Sequence, residues 1–93
     1  MPYRLELTEI LRRAGWQVKT YDAERLEPPH VTIFKRGTAW RLSLRTGDFL
    51  DQGGSWSQID EGVRVAIEAA WDALVEAWDK LHPENPVSSQ DDE

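Results

Sequence analysis

Basic and aromatic residues recur at alternate positions through the first half of this chain, a pattern that could bind an anionic partner. Cations neutralise phosphates or carboxylates, and aromatic rings stack on nucleobases. Antiparallel sheets commonly leave one ordinary polar face in water, and we favour this interpretation of the pattern. Phe34 is the residue that it explains least well, because an exposed Phe is less expected than an exposed Arg. The candidate binding residues are Lys19, Tyr21, Phe34, Arg36, Arg41 and Arg45.

One histidine in the same region is a candidate catalytic group. His30 directly follows Pro28 and Pro29. Imidazole exchanges protons near neutral pH, so His30 could act as a general acid or base. The alternative is a polar strand residue that fixes the adjoining loop by a hydrogen bond, and we favour it because a lone histidine indicates catalysis weakly. His82 follows a predicted helix end, where an imidazole complements the helix dipole.

Other enzyme chemistry finds little support in the residue types. The 93 residues contain no cysteine, which excludes a disulfide, a thiolate nucleophile and a cysteine-based zinc site. No phosphate-binding loop, dinucleotide fingerprint, zinc-protease motif or hydrolase nucleophile motif occurs. Two distant histidines and scattered acids do not form a recognisable metal site. We therefore predict neither a metal nor a cofactor.

Charge is divided unevenly along the chain. The formal net charge is −6, yet residues 1–45 hold nine Lys and Arg against five acids, whereas residues 46–93 hold two against twelve. Such asymmetry bears on partners rather than on fold. It predicts either that the basic half binds an acidic molecule or that the acidic second half binds a basic one.

Three strands should display the candidate surface. Alternating apolar and polar residues predict strands over 16–21, 31–36 and 39–45. The short turn at Gly37 joins the last two into an antiparallel hairpin, and Phe49-Leu50 adds a short strand or fills the core. Alternation sends Phe34 and the cations to one face. The opposite, apolar face comprises Trp16, Val18, Val31, Ile33, Trp40, Leu42 and Leu44.

Two helices should cover that apolar face. Helical spacing of apolar residues predicts a short helix over 5–14 that ends at Gly15. It also predicts a long helix over 58–81, with Ser57 as N-cap and Asp60 completing a capping-box-like arrangement. The predicted fold class is α+β. It is a two-layer α-β-β-β-α sandwich with a three-stranded antiparallel sheet covered on one face.

The chain should form one domain over residues 1–82, followed by a flexible acidic tail over 83–93. No apolar run approaches the length of a membrane span. The first residues soon reach Glu6 and Glu9, which is unlike a signal peptide. The cytoplasm is the expected location.

Residues 27–81 resemble small bacterial domains of unknown function that carry a Pro-Pro-His-aliphatic-His signature. The shared features are Pro28-Pro29-His30-Val31, a glycine turn, a strand with Trp40 and a helix ending Ala77-Trp78-Asp79; Thr32 replaces the second histidine. Those domains often occur in toxin–antitoxin-like gene pairs. The resemblance implies a toxin–antitoxin or phage-conflict component.

The front of the chain resembles HicA-type mRNA interferase toxins. The resemblance rests on the run Leu11-Arg12-Arg13-Ala14-Gly15-Trp16, a strand, and His30 at the entry to the next strand. These toxins have a double-stranded-RNA-binding-like α-β-β-β-α fold with a catalytic histidine that opens a strand. The resemblance implies that His30 is catalytic, with Pro28-Pro29 in place of the usual Gly-Ser.

Three functions remain open from the sequence. The leading one is a non-enzymatic protein-interaction domain that binds a partner through its acidic helix or its basic, aromatic sheet face. The alternative is an RNA-binding protein or HicA-like ribonuclease, with His30 as acid or base and Arg36, Arg41 and Arg45 holding phosphates. The third is a homodimer formed through a sheet edge or a tryptophan-bearing surface.

Overall fold

A computed structural model describes residues 3–20 and 28–87 of the chain. No helix within these two ranges is both long and apolar enough to cross a membrane. The elements in chain order are β1 (Tyr3–Arg4), α1 (Glu9–Arg13), β2 (Trp16–Thr20), β3 (His30–Lys35), β4 (Thr38–Ser43), a 3₁₀ turn (Trp56–Gln58), α2 (Glu61–Ala69) and α3 (Trp71–Leu81).

The sheet is antiparallel and has four strands in the order β1-β2-β3-β4. The α+β class is thus confirmed, but the prediction of three strands is wrong. The extra strand is β1, in which Tyr3 pairs with Thr20 and Arg4 pairs with Lys19. The pairing continues where the Leu5 N–H donates to the Val18 carbonyl at 2.9 Å. A strand of two residues is too short to be predicted from the alternation of apolar and polar residues.

The predicted hairpin is confirmed, since β3 and β4 pair along their whole length on either side of the Arg36-Gly37 turn. The chain then returns along the outer edge of β4. Phe49 forms an isolated bridge with Leu42, and the Leu50 N–H donates to the Arg41 carbonyl at 2.8 Å. This short return pairs part of an edge that would otherwise expose backbone hydrogen-bonding groups.

The core lies between the apolar face of the sheet and the helices. Val18, Val31, Ile33 and Leu42 are fully buried, as the alternation predicts. Burying each such side chain contributes about 1.5–3 kcal/mol before entropy is counted. The helices supply Leu11, Val63, Ile67, Leu74 and Trp78 to the same cluster.

The long C-terminal helix is divided, which corrects the prediction of one helix over 58–81. Ala70 leaves helical geometry, with φ −104° and ψ 15°, and separates α2 from α3. Its N–H still donates to the carbonyls of Ala66 and Ile67, so the break is a bend rather than a loop. Apolar periodicity continues across it, and therefore the sequence pattern does not reveal it.

The start of that helix also differs from the prediction. Asp60, not Ser57, is the N-cap of α2, and its carboxylate accepts the Gly62 N–H at 2.7 Å. Ser55 and Gln58 instead cap each other across the 3₁₀ turn. At the other end of the chain, α1 is shorter than 5–14, with Thr8 as its N-cap.

The last described residues fold back against α3. The Trp78 indole N–H donates to the Asn85 carbonyl at 2.7 Å, and the Val87 N–H donates to Asp79 at 2.8 Å. Val87 packs against the core. The predicted tail over 83–93 is therefore described as far as Val87, and its remainder lies outside the described residues.

Gly15 follows the end of α1 and lies in the left-handed region of backbone conformation, with φ 99°. A Cβ there would lie 3.0 Å from the Arg36 Cγ. We expect Gly15→Ala to lower the free energy of unfolding by about 1–2 kcal/mol. The loss combines the strain of alanine in the left-handed region with the close approach of its Cβ to the Arg36 side chain. Urea denaturation measures it. Gly37→Ala is the control, because its added Cβ meets nothing within 4 Å; equal losses in both variants would contradict the account.

Candidate binding face of the sheet

The strand register places one row of side chains across all four strands. Arg4 lies opposite Lys19, Lys19 opposite Thr32, and Thr32 opposite Arg41. Phe34 lies two residues beyond Thr32 along β3 and so shares its face. The register thus places Lys19, Phe34 and Arg41 on one side of the sheet, but His30, Thr32 and Ser43, which alternate onto the same side, are buried. We call this side, defined by Lys19, Phe34, Arg36 and Gln17, the cationic face.

An open cleft of about 370 Å³ occupies the cationic face, lined by Gly15, Gln17, Lys19, Phe34 and Arg36. The Lys19 Nζ lies 5.7 Å from the centre of the Phe34 ring, a cation–π distance. Phe34 is half-buried, and Arg36 is exposed. The cleft is thus lined by one apolar ring and two positively charged side chains.

Arg36 is held in an unfavourable backbone conformation beside this cleft. Its φ is 54°, in the left-handed region, although Gly37 is the next residue. A non-glycine residue there costs about 1–2 kcal/mol. The Arg36 side chain lies against Gly15, where the missing Cβ leaves room for it. A two-residue hairpin turn requires a positive φ at its first position, so the tight connection between β3 and β4 accounts for this conformation.

Arg41 is engaged by the loop that follows β4. Its Nε and Nη2 donate to the Asp51 Oδ1 at 3.0 and 2.8 Å, while its backbone N–H donates to Oδ2 at 2.8 Å. The Arg41 side-chain hydrogen bonds are the main cause that holds the pKa of Asp51 below its ordinary value. Arg41 therefore anchors this loop against the edge of β4.

Arg45 is engaged in a similar way by the C-terminal segment. Its Nε donates to the Val87 carbonyl at 3.0 Å, and its Nη2 donates to the Pro86 carbonyl at 3.0 Å. By contrast, Lys19 and Arg36 form no ion pair with any residue in 3–20 or 28–87. The structure thus divides the predicted basic set, and Tyr21 lies outside the described residues.

His30 lies inside the protein. It is fully buried, and its Nδ1 donates to the Pro28 carbonyl at 2.8 Å. Its ring centre is 5.5 Å from that of Trp78, which stacks on His82 at 3.8 Å. This setting favours the loop-fixing alternative, because a ring with no exposed surface does not reach a substrate in solution.

Two further arginines lie beside the face and were not among the predicted site residues. A second cleft, of about 230 Å³, is lined by Arg4 and Arg12 and shares Gln17 with the first. Arg4 reaches this position because β1 pairs with β2. No local sequence pattern indicates this pairing, because β1 has two residues and Leu7, which follows it, also shares a helical spacing with Leu11.

Comparison with known proteins adds no assignment: no family model, curated protein or solved structure matches this chain. Both sequence resemblances therefore stay predictions. Among the described residues, no three His, Cys, Asp or Glu side chains lie together as a metal site would require. The candidate site rests on geometry and charge alone.

The contribution of the Arg41–Asp51 contact to the free energy of unfolding should depend on pH. A carboxyl group whose pKa is lowered on folding stabilises the fold above its ordinary pKa, and the effect is lost as pH falls. Both side chains are more than a third exposed, so we expect Asp51→Asn to cost about 1 kcal/mol at pH 7. The difference from the native chain should narrow below about pH 4, as measured by urea denaturation at each pH.

The exposed Asp48, in the same loop, supplies the control for that experiment. Asp48→Asn should change the free energy of unfolding by less than about 0.5 kcal/mol. A loss in Asp51→Asn that is equally large at acid pH would show that the charge of Asp51 is not what holds the loop.

Proposed function

We propose that this chain is a non-enzymatic protein-interaction domain whose cationic face binds an acidic segment of a partner protein. The observation that carries the proposal is that Lys19, Arg36 and Phe34 line one open cleft, in which neither cation forms an ion pair with a described residue. The resemblance to toxin–antitoxin-like domains supports a partner encoded by a neighbouring gene.

The chemistry of the cleft suits carboxylates attached to a flexible segment. Arg36 offers a planar fork of donors that matches a carboxylate, and Lys19 offers a compact positive charge. Phe34 supplies apolar area in the same cleft for the stem of a partner side chain. The pairing of β3 with β4 already fixes the turn that carries Arg36. Binding therefore costs less conformational entropy at this turn.

An acidic protein segment fits this face better than single-stranded RNA. Surfaces that bind single strands combine a cationic track with several rings on which successive bases stack. Within the described part of the cationic face, Phe34 is the one aromatic ring, so that part lacks the series of rings on which successive bases stack. The buried position of His30 further weakens a ribonuclease reading.

The acidic helices are a weaker candidate surface, because several of their charges have partners or roles within the fold. Glu68 pairs with Arg64 at 3.1 Å, Asp60 caps α2, and Asp79 accepts the Val87 N–H. The exposed acids that remain, such as Asp72 and Glu76, form an ordinary solvated helix face. The cationic face has the stronger claim, since Lys19 and Arg36 form no ion pair with any residue that the structure describes.

Charge removal tests the proposal directly. We expect Lys19→Gln and Arg36→Gln each to weaken the binding of a fluorescein-labelled peptide of Asp, Glu and one Tyr by about threefold to tenfold. Fluorescence anisotropy at low salt measures it. Lys80→Gln and Arg64→Gln remove the same charge from the helices and should change the affinity by less than about twofold.

Two outcomes would count against the proposal. If the native chain does not bind the peptide at low salt, the cationic face is not a site for acidic segments. If labelled oligouridylate binds more tightly than the peptide and depends on the same residues, the face belongs to the RNA-binding alternative.

Arg36 also allows stability and binding to be separated. Arg36→Gly and Arg36→Ala both remove the guanidinium, so both should lower the affinity for the acidic peptide to a similar degree. Glycine adopts a φ of 54° without strain, whereas alanine is strained there. The free energy of unfolding of Arg36→Gly should therefore be about 1 kcal/mol higher than that of Arg36→Ala. Urea denaturation and anisotropy on the same samples give both quantities. Equal stabilities would show that the left-handed backbone carries no strain.

A further inference from the structure

We infer that the acidic segment bound by the cationic face continues across β2 into the second cleft, where Arg4 and Arg12 bind a further acidic group. This inference rests on the proposed function and adds to it the length and charge pattern of the partner segment. The two clefts share Gln17, which places one on the β3 side of β2 and the other on the side of β1 and α1.

The second cleft is built as an apolar floor with a basic rim. Leu5, Leu7 and Trp16 line it and are nearly buried, whereas Arg4 and Arg12 are exposed. Neither arginine forms an ion pair with a residue in 3–20 or 28–87. Such a cleft suits an apolar side chain next to an acidic one.

Glu6 also lines this cleft and places one negative charge against the two arginines. The local balance stays positive on a chain whose overall charge is −6. A local excess of positive charge attracts an acidic group even when the whole protein repels it at longer range, because salt screens distant charges beyond about 10 Å.

The sheet makes the two clefts neighbours. Arg4 and Lys19 are register partners on adjacent strands, which lie about 4.8 Å apart in any sheet. A ligand that crosses β2 at Gln17 therefore passes from Lys19 and Arg36 to Arg4 and Arg12 within a few residues of extended chain. The partner segment should then carry two acidic groups separated by a short apolar stretch.

Two labelled peptides test this inference. One carries a single acidic cluster; the other carries two clusters separated by a short leucine-containing stretch. The native chain should bind the second peptide at least about tenfold more tightly, because the second contact forms within one complex. Arg4→Gln and Arg12→Gln should each remove most of that gain, and Arg12→Gln should change the affinity for the first peptide by less than about twofold.

Arg13→Gln is the matched control, because Arg13 is next to Arg12 on α1 but pairs with Glu9 at 2.6 Å. It should leave the gain in place. If Arg4→Gln disturbs the pairing of β1, as far-UV circular dichroism would show, Arg12→Gln decides the question from the helix. No gain in the native chain, or an equal loss in Arg12→Gln and Arg13→Gln, would overturn the inference.

The same data separate this inference from the proposed function. If Lys19→Gln weakens the single-cluster peptide but Arg12→Gln does not affect the two-cluster gain, the second cleft is excluded and the cationic face stands. If Lys19→Gln has no effect on either peptide, the proposed function fails, and the second cleft with it.

Discussion

The antiparallel register of β2, β3 and β4 is the constraint on which the rest of this structure depends. The pairing of Val18 with Ile33 sends their side chains into the core, where both are fully buried. The same register forces Lys19, one residue along, to the opposite face. A slip of one residue would exchange the two faces and bury positive charge beneath the helices. Burial of apolar side chains on one side therefore determines the cationic face on the other.

The arginines show how local surroundings assign different roles to one side chain. Arg41 meets a carboxylate and Arg45 meets backbone carbonyls, so each fastens a loop or a chain end to the sheet. Arg36 meets neither within the described residues and lies along Gly15 on the surface. Residue type alone does not show whether an arginine holds a segment of the chain to the sheet or is available to bind a partner. Its contacts within the fold must be known first.

Much of the fold follows from local pattern, and the errors have physical causes. Alternation predicts β2, β3 and β4 because their apolar residues lie on one face, although on β3 His30 and Thr32 of the opposite face are buried as well. The segment before α1 was predicted as helix because Leu7 and Leu11 share a helical spacing, although Leu5 and Leu7 also alternate as in a strand. The bend at Ala70 is invisible because its hydrogen bonds and apolar stripe continue across it.

The candidate site was predictable in part for the same reasons. Strand alternation places Lys19 and Phe34 together, since that depends on neighbours in the sequence. The pairing of Arg41 with Asp51 depends on the path of the intervening loop, which local pattern does not specify. Arg4 was missed because it joins the face through β1, a strand of two residues.

The most direct test of the central claim is a map of amide chemical shifts in nitrogen-15-labelled protein titrated with an acidic peptide. The largest changes should fall in residues 15–19 and 34–37, which surround the cleft of the cationic face, with little change along α2 and α3. Changes concentrated on those helices, or no localised change at saturating peptide, would contradict the account.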